Sequence, residues 1–277
     1  MRVLKDISYG PHGMRNLLDL YLPEGGRGPR PMCVGIHGGG WCSGRKEMYA
    51  WAGELLAQHG FAAATVNYRL WPQHLWPAAL ADVRRAVRWL RSQAGRYRLD
   101  PARFGAFGSS AGGHLAAFLG LTDAPEKSDA RLARFPSRVQ CVADFYGPVD
   151  FPHIMRSASA PILVGLMGKP YEGHEAEYRN ASPIFHVDAA SSRVRLHGGE
   201  APPPFLIFHG TLDVGNQRGQ VPIGMSVALH RKLRKAGGNA TLVKVPGAAH
   251  GFSSTLDGPQ CAKAWKRTLR FFAKHLM

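Results

Sequence analysis

The sequence predicts an α/β protein with a mostly parallel sheet of about eight strands and with helices on both faces of that sheet. Short apolar runs that suit buried strands alternate with longer segments that carry an apolar stripe at helical spacing. Hydrophobic residues make up 45% of the 277 positions and charged residues 19%, so a substantial core is expected rather than a disordered chain. No apolar run reaches about 18 residues, so we expect no membrane-spanning helix.

The first half of the chain shows this alternation directly. Residues 14–22 end in an alternating strand, and the Pro- and Gly-rich residues 23–31 form a connection. Pro77 suits the first turn of a helix, where its missing N–H costs nothing. The predicted strands after residue 22 are 32–36, 61–66 and 103–108, and the predicted helices are 46–58, 77–94 and 110–121.

The second half continues the pattern after one irregular stretch. Residues 150–200 carry four prolines, and we expect them to form a short cap-like insertion within a single domain that covers residues 1–277. The remaining predicted strands are 139–146, 205–208 and 241–245, and the remaining predicted helices are 225–236 and 259–275. In such sheets, functional sites lie at the carboxyl ends of the strands.

The net charge is strongly positive, at +16 from 35 Lys and Arg against 19 Asp and Glu. The basic residues form three groups, each spaced between apolar residues as on the wet face of a helix. We therefore expect solvated faces and no specific nucleic-acid partner, with a polyanion-attracting surface as the alternative. The groups are Arg84, Arg85, Arg88 and Arg91; Arg231, Lys232, Arg234 and Lys235; and Lys263, Lys266, Arg267, Arg270 and Lys274.

The four cysteines include no CxxC pair, and the 13 histidines include no HxH or HxxxH pair. We therefore expect no metal site and no cofactor. Free thiols in a cytoplasmic protein are predicted, although a disulfide between Cys33 and Cys42 stays open. The first residues contain no apolar stretch typical of a signal peptide. Secretion stays open if such a segment was removed.

Gly108-Ser109-Ser110-Ala111-Gly112 matches the pattern G-x-S-x-G with Ser110 at its centre. A nucleophilic serine at a sharp turn between strand and helix has a strained backbone, and the flanking residues crowd together, so glycines are needed there. The predicted strand before the motif and the predicted helix after it provide this context. The alternative is an ordinary Gly- and Ser-rich turn.

His37-Gly38-Gly39-Gly40-Trp41 follows a predicted buried strand about 70 residues before Ser110. A glycine-rich loop can direct backbone N–H groups into a cavity without obstruction by side chains. Two such donors, with the N–H of the residue after the nucleophile, make an oxyanion hole. A phosphate-binding loop is the alternative, but the Lys-Ser/Thr or G-x-G-x-x-G pattern that it needs is absent.

A nucleophilic serine needs a base, and the base needs an orienting carboxylate. Asp213 and His250 each come just after a predicted strand, and they follow Ser110 in the order Ser, acid, His that is typical of this type of fold. These two residues are the predicted acid and base. His37, His114 and His209 are predicted to be structural.

With these motifs in place, the chain resembles α/β-hydrolases of the hormone-sensitive-lipase-like and bacterial feruloyl-esterase-like (BD-FAE-like) carboxylesterases. The resemblance rests on HGGGW at 37–41, FGSSAGGHLA at 107–116, DFYGPVD at 144–150, PPFLIFHGTLD at 203–213 and HGF at 250–252. It implies an α/β-hydrolase fold and a serine carboxylesterase acting on short-chain or aromatic esters. It also implies the residue roles: Ser110 as nucleophile, Asp213 and His250 as acid and base, and the Gly39, Gly40 and Ala111 amides as oxyanion donors.

Two features depart from the family pattern. Only 36 residues precede the glycine loop, which is too few for a large N-terminal cap and favours the compact feruloyl-esterase-like branch. Val221-Pro222 follow Asp213 by eight residues instead of three or four, which indicates a short insertion beside the acid. Asp144 is therefore the second candidate for the acid.

Aromatic and sulfur-containing side chains near the motifs are candidates for the substrate pocket. Trp41, Trp71 and Tyr146 are the leading ones, with Trp76, Phe145 and Met155 behind them, and core packing is the alternative for all six. Two other activities stay open beside a general carboxylesterase: a feruloyl or acetyl-xylan esterase, and an arylformamidase-like or peptidase-like amide hydrolase. A catalytically silent fold used for binding would lack one of the three residues Ser110, Asp213 and His250, and none is missing. A homodimer also stays open.

Overall fold

A computed structural model describes residues 1–25, 28–187, 201–253 and 258–277. Within these residues eight strands form one sheet in the order β1-β2-β4-β3-β5-β6-β7-β8. The strands β1 and β2 run antiparallel to their neighbours, and the other five neighbouring pairs are parallel. The strands are Arg2–Ser8 (β1), Leu17–Leu22 (β2), Arg30–Ile36 (β3), Ala62–Val66 (β4), Leu99–Ser109 (β5), Cys141–Phe145 (β6), Phe205–Gly210 (β7) and Ala240–Val245 (β8).

The central strands are buried on both faces, because helices cover each side of the sheet. On one face, Met32, Val34 and Ile36 of β3 belong to the same apolar core as the helices at 78–92, 111–121 and 223–235. On the other face, Cys33 belongs to a second core that includes the helices at 50–58 and 259–276. Side chains alternate between the faces along a strand, so one continuous apolar run supplies both cores. The predicted mostly parallel α/β fold is confirmed.

The helices begin and end close to their predicted positions. The helix predicted at 46–58 starts with a 3-10 turn at Lys46–Tyr49, and the one predicted at 77–94 is divided at Gln93. The α-helices are Ala50–Gln58 (α1), Ala78–Ser92 (α2), Ala94–Tyr97 (α3), Ala111–Leu121 (α4), Ala130–Ala133 (α5), Phe151–Ile154 (α6), Ala160–Met167 (α7), Glu175–Asn180 (α8), Ile223–Lys235 (α9) and Pro259–Leu276 (α10).

The segment between β6 and β7 holds three short helices and lies over the carboxyl ends of the strands. Its described part contains α6, α7, α8 and a 3-10 turn at Pro183–His186. Residues 188–200 of the predicted 150–200 insertion lie outside the described residues. Side chains of α7 reach the cavity that Ser110 lines, so this segment is part of the site.

One group of basic residues is not the wet helix face that the sequence predicted. Arg88 and Arg91 of α2 are only 4% and 3% exposed. Arg88 donates to Asp123 at 2.7 Å, and Arg91 donates to the carbonyl oxygens of Pro101 and Arg138 at 3.0 and 2.7 Å. Burial lowers the pKa of Arg91 to about 10. These guanidinium groups tie the 120–140 region to α2, which a hydrophobicity pattern does not reveal.

All four cysteines are free thiols. Cys33 is buried within β3, whereas Cys42 is exposed beside the glycine loop. The disulfide that the sequence left open between these two residues is therefore absent. Among the described residues, no helix is long and apolar enough to cross a membrane.

Candidate active site

Ser110 occupies a sharp turn between β5 and α4. Its φ of 54° and ψ of −123° lie outside the regions that a serine favours. The two glycines of the motif permit this turn. A Cβ on Gly112 would overlap the carbonyl oxygen of Ile36, and a Cβ on Gly108 would overlap the backbone of Gly112. Hydrogen bonds from the Ser110 N–H to Phe145 O, at 2.9 Å, and from the His114 N–H to Ser110 O, at 3.1 Å, hold the turn.

His250 lies on the loop after β8 and joins Ser110 to Asp213. Its Nε2 is 3.0 Å from Ser110 Oγ, and its Nδ1 is 2.7 Å from Asp213 Oδ2. A carboxylate only accepts hydrogen bonds, so Nδ1 carries the proton and Nε2 accepts from the serine hydroxyl. The ring is 20% exposed, so it faces the open side of the site. The three residues that the sequence singled out are thus brought together.

Asp213 follows β7 and is fully buried. Its Oδ1 accepts the N–H of Val221 at 2.8 Å, and its Oδ2 lies 2.7 Å from His250 and 3.2 Å from His209 Nε2. Burial alone would raise the pKa of Asp213, but the hydrogen bonds from His209 and His250 outweigh it and lower the pKa. A buried carboxylate that stays ionised at neutral pH is what an orienting acid requires.

The eight-residue spacing between Asp213 and Val221 forms a loop that closes on the acid. The Val221 N–H donates to the carboxylate, and the Ile223 N–H donates to Asp213 O at 3.0 Å. His209 supports the same loop, because its Nε2 lies 2.9 Å from Val221 O. The short insertion therefore adds a backbone donor to Asp213 and leaves it in contact with His250.

His209 was predicted to be structural, and its contacts place it behind the acid. Its Nε2 faces only acceptors, so it carries the proton. Its Nδ1 then accepts from the hydroxyl of Ser226 at 2.7 Å. The position of His209 four residues before Asp213, on the strand that ends at the acid, was the one sequence signal for this arrangement.

Hydrogen bonds to the carbonyl oxygens of the glycine loop hold it in place. Cys42 and Ser43 donate their N–H groups to Gly39 O, both at 3.0 Å, and the indole of Trp71 donates to Gly40 O at 2.9 Å. Gly39 and Gly40 have φ values of 108° and 57°, which a side chain would disfavour. Among the described residues, no acceptor contacts the N–H groups of Gly39 and Gly40.

Ala111 is the first residue of α4, so its N–H has no partner within the helix. No acceptor among the described residues contacts it either. The glycine loop ends β3 and the Ala111 turn ends β5, and these strands are direct neighbours in the sheet. Three unpaired amide donors therefore lie on adjacent loops beside Ser110.

A cavity of about 490 Å³ opens over Ser110 and His250. Of the six predicted pocket residues, Trp41, Trp71 and Tyr146 line it. Trp41 packs edge-on against Phe151, while the Tyr146 ring lies 4.7 Å from the His250 ring and its hydroxyl is 2.6 Å from Ser253 Oγ. The sequence did not identify the apolar contributions of the insertion, which are Ile154, Ile162 and Leu163, or the loop residues Arg218 and Gln220.

The other three pocket candidates do not line this cavity, and each packs against one of the two apolar cores, as the alternative predicted. Trp76 packs against His114 and Phe118, with ring centroids 5.2 and 5.4 Å away. Phe145 points to the opposite face of the sheet and stacks on Phe208 at 4.8 Å. Met155 lines a separate cavity. Strand alternation places Phe145 on the same face of β6 as Cys141 and Ala143, whereas Tyr146 follows the end of the strand with a φ of 46° and lines the cavity.

Asp144, the second candidate for the acid, lies at the end of β6. It is fully buried, and its Oδ1 accepts the N–H of Gly147 at 2.9 Å. Its Oδ2 has no hydrogen-bond partner among the described residues. Burial raises the pKa of Asp144 to about 6, with the Gly147 hydrogen bond acting in the opposite direction. The carboxyl makes no hydrogen bond to His250, whose Nδ1 is taken by Asp213.

His37 and His114 are buried and held by backbone oxygens. His37 Nδ1 contacts Gly38 O at 2.7 Å, and its ring stacks on Tyr68. His114 Nε2 contacts Ala181 O at 2.8 Å, and its ring stacks on Phe151. Burial lowers the pKa of His37 to about 4 and that of His114 to about 3. Both are neutral packing residues at ordinary pH. In the described part of the chain, no group of three or more His, Cys, Asp or Glu could hold a metal ion.

Comparison with known proteins adds a family and several relatives. The model of the BD-FAE family matches residues 18–233. The probable carboxylic ester hydrolase LipM of Mycobacterium tuberculosis is 33% identical over 75% of this chain and 47% of its own length. The esterase LipQ of the same organism is 31% identical over 89% of this chain and 56% of its own length. The chain thus spans about half the length of these two relatives.

A solved structure covers the chain almost completely. The structure titled "Truncated form of carbohydrate esterase from gut microbiota" has a TM-score of 0.82 and 29% identity, over 99% of this chain and 96% of that one. The described fold is therefore that of an α/β-hydrolase.

Proposed function

Because the chain belongs to the BD-FAE family of α/β-hydrolases, we propose that it is a serine carboxylesterase with Ser110 as its nucleophile. One observation carries this proposal. An unbroken chain of hydrogen bonds runs from Ser110 Oγ through the His250 ring to Asp213, with distances of 3.0 and 2.7 Å. This is the relay that activates a serine hydroxyl, which is a weak nucleophile on its own.

In the first half of the reaction, Ser110 Oγ attacks the ester carbonyl carbon while His250 Nε2 takes the hydroxyl proton. Asp213 keeps the Nδ1 proton in place and stabilises the imidazolium. The imidazolium then gives its proton to the alcohol oxygen as the C–O bond breaks. The alcohol leaves, and the acyl group stays on Ser110.

In the second half, His250 takes a proton from water, and the resulting hydroxide attacks the acyl carbon. The second tetrahedral species collapses, the carboxylic acid leaves, and Ser110 regains its proton from His250. Both tetrahedral species carry an oxyanion, for which we assign the N–H groups of Gly39, Gly40 and Ala111 as donors. The absence of acceptors on these amides among the described residues supports the assignment.

For the substrate, we propose carboxylic esters with a short or aromatic acyl group. The apolar lining of the cavity by Trp41, Trp71 and Ile162 suits such groups, with Tyr146 beside the base. Acetyl or feruloyl esters on plant polysaccharide are a second candidate, favoured by the carbohydrate esterase whose fold this chain shares.

The test is a rate comparison across ester classes. Purified protein is assayed on 4-nitrophenyl acetate, methyl ferulate, acetylated xylan and, as the amide analogue, 4-nitroacetanilide. We expect turnover of the esters to exceed turnover of the amide. Ser110→Ala should lower kcat by a factor on the order of 10⁶. Retention of a tenth of the wild-type rate by Ser110→Ala would move the nucleophile elsewhere.

The number of domains, the oligomeric state and the cellular location each have a direct test. We propose that residues 1–277 act as one domain, which a single cooperative unfolding transition would support. A homodimer is tested by light scattering on the eluted protein, and the cytoplasmic location by fractionation of the source cells.

A further inference from the structure

Among the described residues that line the cavity over Ser110, Arg218 is the one with a permanent charge. It lines the cavity together with Ser110 and His250, and none of the other described lining residues is Asp or Glu. Those other residues are apolar, polar or glycine. Arg218 is exposed, so it lies where the cavity meets solvent.

The backbone on either side of Arg218 is held in place. The Gly219 N–H donates to Ser159 Oγ at 3.0 Å, and the Ser159 hydroxyl donates to Gln220 O at 2.8 Å. The next residue, Val221, donates its N–H to the Asp213 carboxylate. The backbone next to Arg218 is therefore held relative to the start of α7 and to the proposed catalytic acid. This stretch lies between Asp213 and Val221, where the chain departs from the family spacing.

In the described part of the chain, the charge of Arg218 has no ionic partner. Some arginines have one, such as Arg69 with Asp82 and Arg103 with Asp100, both at 2.7 Å. Other exposed arginines, such as Arg231, have none among the described residues either, but Arg231 does not line the cavity. Among the described residues, no carboxylate lies within ion-pair distance of Arg218. A guanidinium presents several donors in a planar fork that matches a carboxylate, so it is ready for an incoming anion.

We propose that Arg218 makes this site selective for carboxylic esters that carry a second, anionic group such as a free carboxylate. The inference rests on the proposed esterase function and narrows its substrate class. The reacting ester would lie at Ser110 while the anion contacts the guanidinium at the cavity mouth. The net charge of +16 also favours the approach of anionic substrates.

The test compares anionic esters with neutral ones of nearly the same shape. In the first pair, 4-acetoxybenzoate and 4-acetoxybenzamide, the carboxylate or the neutral amide lies on the alcohol half of the ester. In the second pair, phenyl hemisuccinate and phenyl succinamate, it lies on the acyl half. The quantity measured is the ratio of kcat/KM for the anionic to the neutral member at low ionic strength.

We expect this ratio to fall about three- to tenfold in Arg218→Gln for at least one pair, because the guanidinium is exposed and partly screened. It should fall further in Arg218→Glu and less in Arg218→Lys. The difference between wild type and Arg218→Gln should shrink as salt is added. Arg231→Gln, which removes an exposed charge on α9 away from the cavity, is the matched control and should keep the wild-type ratio within twofold. The responding pair identifies the half of the ester that carries the anion.

Ratios for Arg218→Gln and Arg218→Glu within twofold of wild type, for both pairs, would overturn the inference. A binding measurement separates this from failure of the proposed esterase function. In a Ser110→Ala background, 4-acetoxybenzoate is titrated against 4-acetoxybenzamide by tryptophan fluorescence, since Trp41 and Trp71 line the cavity. Tighter binding of the anion that requires Arg218 supports the inference even if the wild type hydrolyses no ester. Equal binding contradicts it.

Discussion

At the scale of single residues, two buried carboxylates near the site have opposite properties. Asp213 receives three hydrogen-bond donors, and its pKa is lowered. Asp144 receives the single donor of Gly147, leaves one oxygen without a partner among the described residues, and has a pKa raised to about 6. Only a carboxylate that remains ionised beside the imidazole can stabilise the imidazolium during catalysis. The two environments therefore favour Asp213 as the acid.

A matched pair of substitutions tests this choice. Asp213→Asn should lower kcat for 4-nitrophenyl acetate by about 10⁴, because an amide no longer enforces the Nδ1–H tautomer of His250. Asp144→Asn should leave kcat within a few-fold of wild type. If instead Asp213→Asn is nearly silent and Asp144→Asn is inactive, Asp144 is the acid and the hydrolase proposal survives with a relocated carboxylate.

The buried imidazole of His114 should make stability depend on pH. Its pKa is lowered to about 3 in the folded protein by burial, whereas an unfolded histidine titrates near about 6.5. Below about pH 6.5 the unfolded chain binds this proton and the folded chain does not, so stability is lost as pH falls. His37 acts in the same direction, and Asp144, whose pKa is raised, acts in the opposite direction.

Comparison with a variant isolates the contribution of His114. The free energy of unfolding is measured in urea at pH 7.5 and at pH 5.0. Between these two pH values it should fall by about 2 kcal/mol more in the wild type than in His114→Gln. Glutamine keeps a donor for Ala181 O but does not titrate. Equal losses in the two proteins would show that His114 is protonated in the folded state.

At the scale of elements, helix α7 of the insertion shapes one side of the cavity over Ser110. Ile162 and Leu163 of α7 line the cavity, and Ile162 lies beside the glycine loop, because a Cβ built on Gly40 would be 3.5 Å from its side chain. Gly165 of the same helix lies against the Trp71 ring, whose indole holds Gly40. One short helix therefore packs beside the glycine loop and against the Trp71 ring that holds it, and it limits the space next to the proposed oxyanion donors.

This arrangement predicts a short acyl preference. Across 4-nitrophenyl esters, kcat/KM should be highest for acyl chains of about two to six carbons, because the cavity is open and has little room to bury a longer tail. Ile162→Ala should shift the optimum to longer chains, while Val3→Ala, on the far edge of the sheet, should not. A wild-type optimum at ten carbons or more would reveal a tunnel that the described residues do not contain.

The sequence predicted the central strands but not the edge strand or the short helices. The central strands were recognised because a strand buried on both faces is a continuous apolar run, as in β3 and β4. The edge strand β1 was not assigned bounds, because its sequence RVLKDIS alternates with charged residues and is mostly exposed. The short helices α6, α7 and α8 were missed, because segments of four to eight residues carry too little periodicity, and α6 and α7 also contain a proline.

In the candidate site, too, the sequence identified some residues and missed others. Ser110, Asp213 and His250 were found because each stands at a strand end within a motif in the expected order. The Val221 N–H and Arg218 were missed, because their positions depend on how the loop after Asp213 folds back. No local pattern in Gly215-Asn216-Gln217-Arg218-Gly219 encodes that path. Burial of Arg88 and Arg91 was missed for a related reason. Apart from Pro101, the hydrogen-bond partners described for their side chains lie 35 residues or more away along the chain.

At the scale of the whole molecule, the parallel sheet assembles a site from distant parts of the sequence. β3 ends at the glycine loop, β5 at Ser110, β7 before Asp213 and β8 before His250. Parallel strands expose their carboxyl ends at one edge of the sheet, so four loops that span more than 200 residues meet there. The sheet order thus determines which loops are neighbours, and the loops supply the chemistry.

The central claim is that Ser110 is the nucleophile that His250 and Asp213 activate. The most direct measurement is intact-mass and peptide mass spectrometry after treatment with diethyl 4-nitrophenyl phosphate, whose phosphorus an activated serine attacks with release of 4-nitrophenolate. We predict one diethylphosphoryl group per chain, located on Ser110, with esterase activity lost in proportion to labelling and no labelling in Ser110→Ala. Labelling at another residue, or full ester turnover by the stoichiometrically labelled protein, would contradict the account.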